Sequence, residues 1–236
     1  MAHSFTMFGG MHGWILLALG VFGFMVLYPA RRWMDASAQK QWAIGLGAFI
    51  IVMEFLDRGY QIIILNESVR ENLPFHLCGI GVFLAAALLF FRTRWLFDIM
   101  YFWGIIGASQ SILTPDLTMG GHDFLFLTYF LSHWMIIIAV LYCIIIWDFR
   151  PTWRSLWRAF IALNLYTLLV APINLLLGTN YLYICHKPDS ATLLDVLGPW
   201  PWYILVLEGV GLVFFIVVYS PYLIKDFIRL RARRVM

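Results

Sequence analysis

Long apolar runs separated by short polar connections constrain this chain more than any other feature. A helix that crosses the hydrocarbon core of a bilayer needs about 20 mostly apolar residues. Seven segments of about that length are present, at 8–30, 42–65, 74–91, 95–113, 124–147, 159–177 and 202–223. Charged residues make up 12% of the sequence, against roughly 25% in soluble domains. We therefore predict an all-α, polytopic membrane helical bundle that forms a single transmembrane domain over residues 1–236.

The basic residues predict how this bundle is oriented. Cytoplasmic loops of membrane proteins carry an excess of Lys and Arg. Thirteen of the 16 basic residues follow the first, third, fifth or seventh segment, whereas Arg70 and Lys187 fall on the other side and Arg58 lies inside the second segment. We expect the N-terminus outside, the C-terminus in the cytoplasm, and a multi-pass protein of a bacterial inner or plasma membrane. Residues 1–12 lack the basic start of a signal peptide, so the first segment should remain in the mature protein.

Several polar side chains fall inside the apolar segments, where they are expensive and therefore indicate function. A rise of 1.5 Å per residue places all of them in the outer half of the membrane. They are Glu54, Asp57, Cys78, Gln110, His133 and Glu208, with Ser111 beside Gln110 and Asn174 and Asn180 near the outer end of the sixth segment. This asymmetry predicts a polar cavity that opens outward or into the outer leaflet.

Two interpretations of the acidic residues stay open. Glu54, Asp57 and Arg58 share one helical face through their i, i+3 and i+4 spacing. They form either a self-neutralising cluster or a site in which one carboxylate orients His133 or binds a substrate headgroup. Glu208 has flanking glycines at 209 and 211, which would let another helix approach closely, so a structural role is equally open for it.

The stretch at residues 73–79 (LPFHLCG) brings a thiol and an imidazole to the start of the third segment. Pro74 suits the first position of a helix because it has no N–H to leave unpaired. His76 and Cys78 lie two residues apart, roughly 200° around a helix, so both cannot face one point. We interpret Cys143 as a packing residue, and Cys185 as free or paired with Cys78, with the free thiol favoured.

Other functional classes lack their signatures. The sequence contains no Walker A, HExxH or GxSxG pattern, and its three cysteines are too scattered for a disulfide framework or a zinc ribbon. The basic residues line a membrane face instead of forming a nucleic-acid signature. We expect no metal, no cofactor and no nucleic-acid partner, and the sequence leaves the oligomeric state open.

Four stretches together resemble the YwaF-type family of small bacterial integral membrane proteins. They are residues 73–79, 103–116 (WGIIGASQSILTPD), Ser132-His133, and 180–203 (NYLYICHKPDSATLLDVLGPWPWY). That family is similar to a eukaryotic transmembrane acyltransferase that moves acyl chains onto ether lysophospholipids. The resemblance implies that Cys78 is the nucleophile and His133 the base.

The resemblance also implies the supporting roles. Asp57, or else Glu54 or Glu208, would hold the imidazole of His133 in the right tautomer. An oxyanion donor would come from Gln110, Ser111 or Asn180. The expected substrate-binding residues are Glu54, Arg58, His76, Gln110, Ser111, Asn180 and Glu208.

The expected function is a lipid acyltransferase or acyl hydrolase that works through a thioester on Cys78, with membrane phospholipids as substrates. Buried acids together with a histidine are also what a proton relay uses, so a proton- or cation-coupled transporter is one alternative. A non-enzymatic lipid-binding or assembly protein is the other. A transporter would depend on Glu54, Asp57 and Glu208 and be indifferent to Cys78.

Overall fold

The computed structural model describes residues 7–115, 123–188 and 193–235, and in these ranges the chain is helical without strands. The all-α prediction is therefore confirmed. The chain divides into two compact units, Met1–Arg150 (unit 1) and Pro151–Met236 (unit 2).

Unit 1 is built from six α-helices, two of which pass into a π-helical turn. They are α1 (Gly10–Arg32), α2 (Ala36–Gly59) with the π-turn Tyr60–Ile64, α3 (Leu77–Phe91), α4 (Arg94–Trp103) with the π-turn Gly104–Ala108, α5 (Ser109–Leu113) and α6 (Asp123–Ile145). The Asp35 carboxylate caps α2 by accepting a hydrogen bond from the N–H of Ala38 at 2.8 Å. Such a cap satisfies one of the unpaired N–H groups at a helix start.

Helix α6 is the centre of unit 1, because it packs against α1, α2, α3, α4 and α5. Its side chains from Met135 to Val140 are almost completely buried. The π-turn that follows α4 approaches α6 closely: a Cβ on Gly104 would lie 2.9 Å from Cγ2 of Ile136. Small residues permit such close helix contacts in membrane proteins, so α6 lies where side chains from several helices meet.

Helix α3 begins at Leu77, and the prediction that Pro74 starts it is wrong. Residues 65–76 form turns, in which the N–H of Phe75 donates to the Leu73 carbonyl at 2.8 Å. The side chain of Asn72 donates to Glu67 at 2.9 Å and secures this connection. The helix end predicted at Phe91 is observed, and Arg92 closes it in the left-handed conformation with φ 51°. The helix therefore has only 15 residues.

Unit 2 contains α7 (Trp153–Leu177), two short 3-10 turns (Tyr181–Tyr183 and Leu193–Leu197) and α8 (Trp202–Val235). Helix α7 starts before the predicted residue 159 because Thr152 and Ser155 form a reciprocal capping box. Helix α8 continues past the predicted end at residue 223. Helices α7 and α8 pack against each other.

Five helices of the described chain are long and apolar enough to cross a membrane. They cover Gly10–Arg32, Arg94–Leu113, Phe124–Ile145, Trp153–Leu177 and Trp202–Ile228. Helix α3 is apolar but shorter, and α2 is not among the five. The sequence predicts seven spanning helices, and the described residues contain five candidates by length and composition.

Candidate active site

Cys78 is the second residue of α3 and is half-buried. The first hydrogen bond of this helix runs from the N–H of Ile80 to the His76 carbonyl at 3.0 Å. The preceding N–H groups of Cys78 and Gly79 have no acceptor inside the helix and face its N-terminal end. A helix N-terminus favours negative charge, so the thiol lies where a thiolate is stabilised.

His133 extends from α6 and is 9% exposed. Its Nδ1 atom lies 2.7 Å from the carbonyl oxygen of Tyr129, one helical turn earlier. Because a carbonyl oxygen only accepts hydrogen bonds, this contact puts the proton on Nδ1. The imidazole then has an unprotonated Nε2 with which to accept a proton.

The Cys78 thiol and the His133 imidazole lie within hydrogen-bonding reach of each other. With Nδ1 occupied by Tyr129, the acceptor for the thiol proton is Nε2. Ser111 is the third member of this group, with its Oγ 3.7 Å from the Cys78 sulfur. The Ser111 hydroxyl also lies 3.1 Å from the Gly107 carbonyl of the π-turn. Three helices, α3, α5 and α6, thus supply a thiol, a hydroxyl and an imidazole to one point.

A buried ion pair lies beside the thiol. The Glu54 carboxylate, which is 5% exposed, accepts hydrogen bonds at 2.5 Å from Nε and Nη2 of Arg58. Arg58 Nη1 donates to the Asn72 carbonyl, so the guanidinium joins α2 to the connection that precedes α3. Glu54 is also within electrostatic range of both Cys78 and His133. All three guanidinium nitrogens of Arg58 are therefore bonded to groups of the protein itself.

Asp57 does not hold the imidazole as predicted. Its carboxylate accepts hydrogen bonds from the Gln61 amide at 2.6 Å and from the Thr128 hydroxyl, which links α2 to α6. The group that fixes the His133 tautomer is the Tyr129 carbonyl. The sequence predicts a similar membrane depth for Asp57 and His133. In the structure, however, the partners of the Asp57 carboxylate lie on the π-turn after α2 and on α6.

His76 and Gln110 lie at the margins of this group. His76 is the residue that precedes α3, and its side chain makes no capping hydrogen bond. Gln110 is exposed, and its amide donates to the Thr114 hydroxyl at 2.5 Å within the same turn.

Asn180 and Glu208 belong to unit 2. The side-chain oxygen Oδ1 of Asn180 accepts hydrogen bonds from the N–H groups of Cys185 and His186. The side-chain Nδ2 of Asn180 donates to the His186 carbonyl at 2.8 Å. This side chain therefore closes its own loop, which differs from the oxyanion role predicted for it. Glu208 is half-buried on α8. Cys185 is a free thiol, as favoured from the sequence, and so is the buried Cys143.

The sequence analysis missed Tyr129 and Thr128. The only signal for Tyr129 is its position four residues before His133, which places it on the same face of α6. Thr128 is 2% exposed, and a threonine in an apolar helix has no distinctive pattern. Within residues 7–115, 123–188 and 193–235, no group of three or more His, Cys, Asp or Glu side chains could hold a metal ion.

The five apolar helices, and the thiol–imidazole pair among the helices of unit 1, define the class: an α-helical membrane protein with a polar site inside unit 1. The sequence comparison gives the family. A family model matches residues 7–219, and the chain belongs to the TMEM164 family. The YwaF-type label expected from the motifs is not supported by this match.

One relative is a protein of Treponema pallidum (strain Nichols) that is described only as uncharacterized. It is 30% identical over 158 residues, which cover 66% of this chain and 65% of the relative. The chain thus matches slightly less than two thirds of that relative's length. No solved structure matches this chain.

Proposed function

We propose that this protein is a membrane-embedded lipid acyltransferase or acyl hydrolase in which Cys78 is the nucleophile and His133 the general base. The observation that carries the proposal is the closeness of the thiol to an imidazole whose Nδ1 atom is bonded to the Tyr129 carbonyl. A nucleophile, a base and a group that orients the base are the three parts of an activated nucleophile. The resemblance to an ether-phospholipid acyltransferase agrees with this chemistry.

In the first half-reaction, the Cys78 sulfur attacks the carbonyl carbon of a phospholipid acyl ester. The thiol proton passes to His133 Nε2, the S–C bond forms, and the ester C–O bond breaks. His133 then gives this proton to the departing glycerol oxygen, which leaves as the hydroxyl of a lysophospholipid. The product on the protein is a thioester at Cys78.

In the second half-reaction, His133 removes a proton from the acceptor hydroxyl of a lysophospholipid, or from water. The acceptor oxygen attacks the thioester carbon, the C–S bond breaks, and the Cys78 thiol recovers the proton. The backbone N–H groups of Cys78 and Gly79 are the donors that we assign to the oxyanion of both tetrahedral intermediates, because they lack helical acceptors beside the sulfur. Ser111 stabilises the sulfur through its 3.7 Å contact.

We also propose the full topology of the bundle, in which α2 and α3 join the five candidate helices to make seven crossings. The distribution of Lys and Arg supports an outer N-terminus and a cytoplasmic C-terminus, in a bacterial cell membrane. Cys78 then faces the outer half of the bilayer at the start of α3, and the substrates are phospholipids of that leaflet. Glu54 and Arg58 support the site by fixing the connection that precedes α3 and Cys78. Asp57 supports it by linking α2 to α6.

The test is the intact mass of the detergent-purified protein after incubation with phospholipid. We expect a fatty-acyl increment on the wild type that hydroxylamine removes, because a thioester is cleaved by that nucleophile. Cys78→Ala should abolish the increment, and His133→Ala should abolish or greatly slow it. Cys185→Ser and Cys143→Ala are matched controls that each remove another thiol, and both should keep it.

Two results would refute the enzyme assignment. One is an increment that persists in Cys78→Ala, which would place the acyl group elsewhere. The other is the absence of any increment together with unchanged donor lipid in the wild type. In that second case, co-purified lipid without turnover would point to a lipid-binding protein, and ion flux in vesicles that survives Cys78→Ala would point to a transporter.

A further inference from the structure

Tyr129 contacts the site through three different groups. Its carbonyl oxygen lies 2.7 Å from Nδ1 of His133. Its ring packs against the imidazole with 4.5 Å between the ring centroids. Its hydroxyl donates to the carbonyl of Ser111 at 3.1 Å.

The contact with Ser111 crosses from α6 to α5. Helix α5 is one turn of five residues, Ser109–Leu113, and the last carbonyls of a helix have no partner inside it. The Tyr129 hydroxyl satisfies one of these carbonyls and so sets the position of α5 relative to α6. Since Ser111 Oγ lies 3.7 Å from the Cys78 sulfur, this hydrogen bond also sets the position of the hydroxyl that faces the thiol.

We propose that Tyr129 is the positioning residue of the site: its carbonyl and ring align the base, and its hydroxyl aligns Ser111, on either side of Cys78. This inference rests on the acyl transfer assigned to Cys78 and His133. Tyr129 takes no proton and touches no reacting atom. Its effect is to hold the imidazole and Ser111 in the arrangement that keeps the thiol activated, which matters because small displacements of catalytic groups cost large factors in rate.

The experiment compares two Tyr→Phe variants on the same helix. Tyr129→Phe deletes the hydroxyl that binds Ser111 and keeps the ring against His133. Tyr142→Phe is the matched control, because the Tyr142 hydroxyl also donates to a backbone carbonyl, that of Gln39, at 2.7 Å. Both variants are made in full-length protein carrying Cys143→Ala and Cys185→Ser, so that Cys78 is the reporting thiol.

Three quantities are measured for each variant: the rate of thiol alkylation by iodoacetamide, the rate of acyl-enzyme formation from phospholipid vesicles, and the melting temperature. We expect Tyr129→Phe to slow both rates about tenfold, which corresponds to about 1.4 kcal/mol and lies within the range for one hydrogen bond. Tyr142→Phe should leave both rates within about twofold of the wild type, with a melting temperature at least as low as that of Tyr129→Phe.

The two readouts separate this inference from the proposed function. Equal alkylation rates for the two variants overturn the positioning role, even if acyl-enzyme forms normally. Slowed alkylation in Tyr129→Phe supports the positioning role. If the wild type nevertheless forms no acyl-enzyme, the proposed acyl transfer is refuted and the positioning role of Tyr129 stands. A rate loss that follows the melting temperature in both variants shows a purely structural role and also overturns the inference.

Discussion

Replacing Arg58 with methionine should destabilise unit 1 strongly, because it leaves a buried carboxylate without its partner. The Glu54 side chain is 6% exposed, and both Nε and Nη2 of Arg58 lie 2.5 Å from its Oε1. Methionine keeps much of the apolar stem of arginine but supplies no donor. The Asn72 carbonyl, to which Arg58 also donates, loses its partner in the same substitution.

The magnitude follows from these contacts. Removing one member of a buried ion pair costs about 3–5 kcal/mol, and in a chain of this size each kcal/mol lowers the melting temperature by roughly 2–4 °C. The expected decrease is therefore roughly 6–20 °C. Glu54→Gln should cost less, because the Arg58 side chain is 21% exposed and keeps its bond to Asn72. The double variant Glu54→Leu/Arg58→Met should recover most of the loss, since an apolar pair often replaces a buried ion pair without cost.

Thermal unfolding of the purified protein in one detergent, at one protein concentration, measures the stability of all three variants. Lys40→Met is the matched control: it removes an exposed cation from the same helix and should change stability by less than about 0.5 kcal/mol. A melting temperature for Arg58→Met within about 2 °C of the wild type would refute the reasoning. So would a double variant that is no more stable than Arg58→Met.

Two further substitutions test the local geometry. Gly79→Ala should cost about 1–3 kcal/mol and slow alkylation of Cys78, because its Cβ would lie 2.9 Å from Nη2 of Arg58 and 3.1 Å from the backbone of residue 74. A Cβ added at Gly45 would have no atom within 4 Å, so Gly45→Ala should be neutral or stabilising. Equal melting temperatures for Gly79→Ala and Gly45→Ala would contradict this account. Asn174→Ala should cost about 2–3 kcal/mol, since it removes both bonds from the Asn174 side chain to the N–H and the carbonyl of the buried Tyr181. Unfolding that matches the wild type would show that these bonds are dispensable.

The long apolar runs were sufficient to predict an all-helical chain, because each helix must bury or satisfy its backbone within itself in a membrane. The residues at which the helices begin and end were harder to predict. Helix α3 starts three residues after Pro74 because Asn72 and Arg58 hold the preceding residues in turns. The contact between Arg58 and Asn72 joins residues 14 positions apart on either side of a turn, which helical periodicity does not encode.

The candidate site shows the same limit. A rise per residue gives the depth of a side chain in the membrane but not its direction around the helix axis, so it could not test the preference for Asp57 over Glu54 and Glu208 beside His133. The structure bonds Asp57 to Gln61 and Thr128. The group that binds His133 Nδ1 is a main-chain carbonyl, which every residue possesses and which side-chain motifs therefore cannot reveal.

Asn180 illustrates a different reason. Asparagine side chains readily bond to nearby backbone groups and shape loops. Here the amide closes the loop up to His186 with bonds in both directions. A residue of this type in a connection therefore favours local turn formation over a catalytic role, even where a motif resemblance suggests the latter.

The 15 residues of α3 have a consequence for the lipid itself. At 1.5 Å per residue the helix is about 22 Å long, whereas the hydrocarbon core is about 30 Å thick. In the proposed orientation, with its last turn at the cytoplasmic boundary, α3 brings the sulfur to about 8 Å below the outer boundary. Hydrophobic mismatch of this kind is relieved by local bilayer thinning, at fractions of a kcal/mol per Å. This local thinning would bring the ester linkages of the surrounding lipids closer to the depth of the thiol. The thickness of the membrane would then set how readily a lipid reaches Cys78.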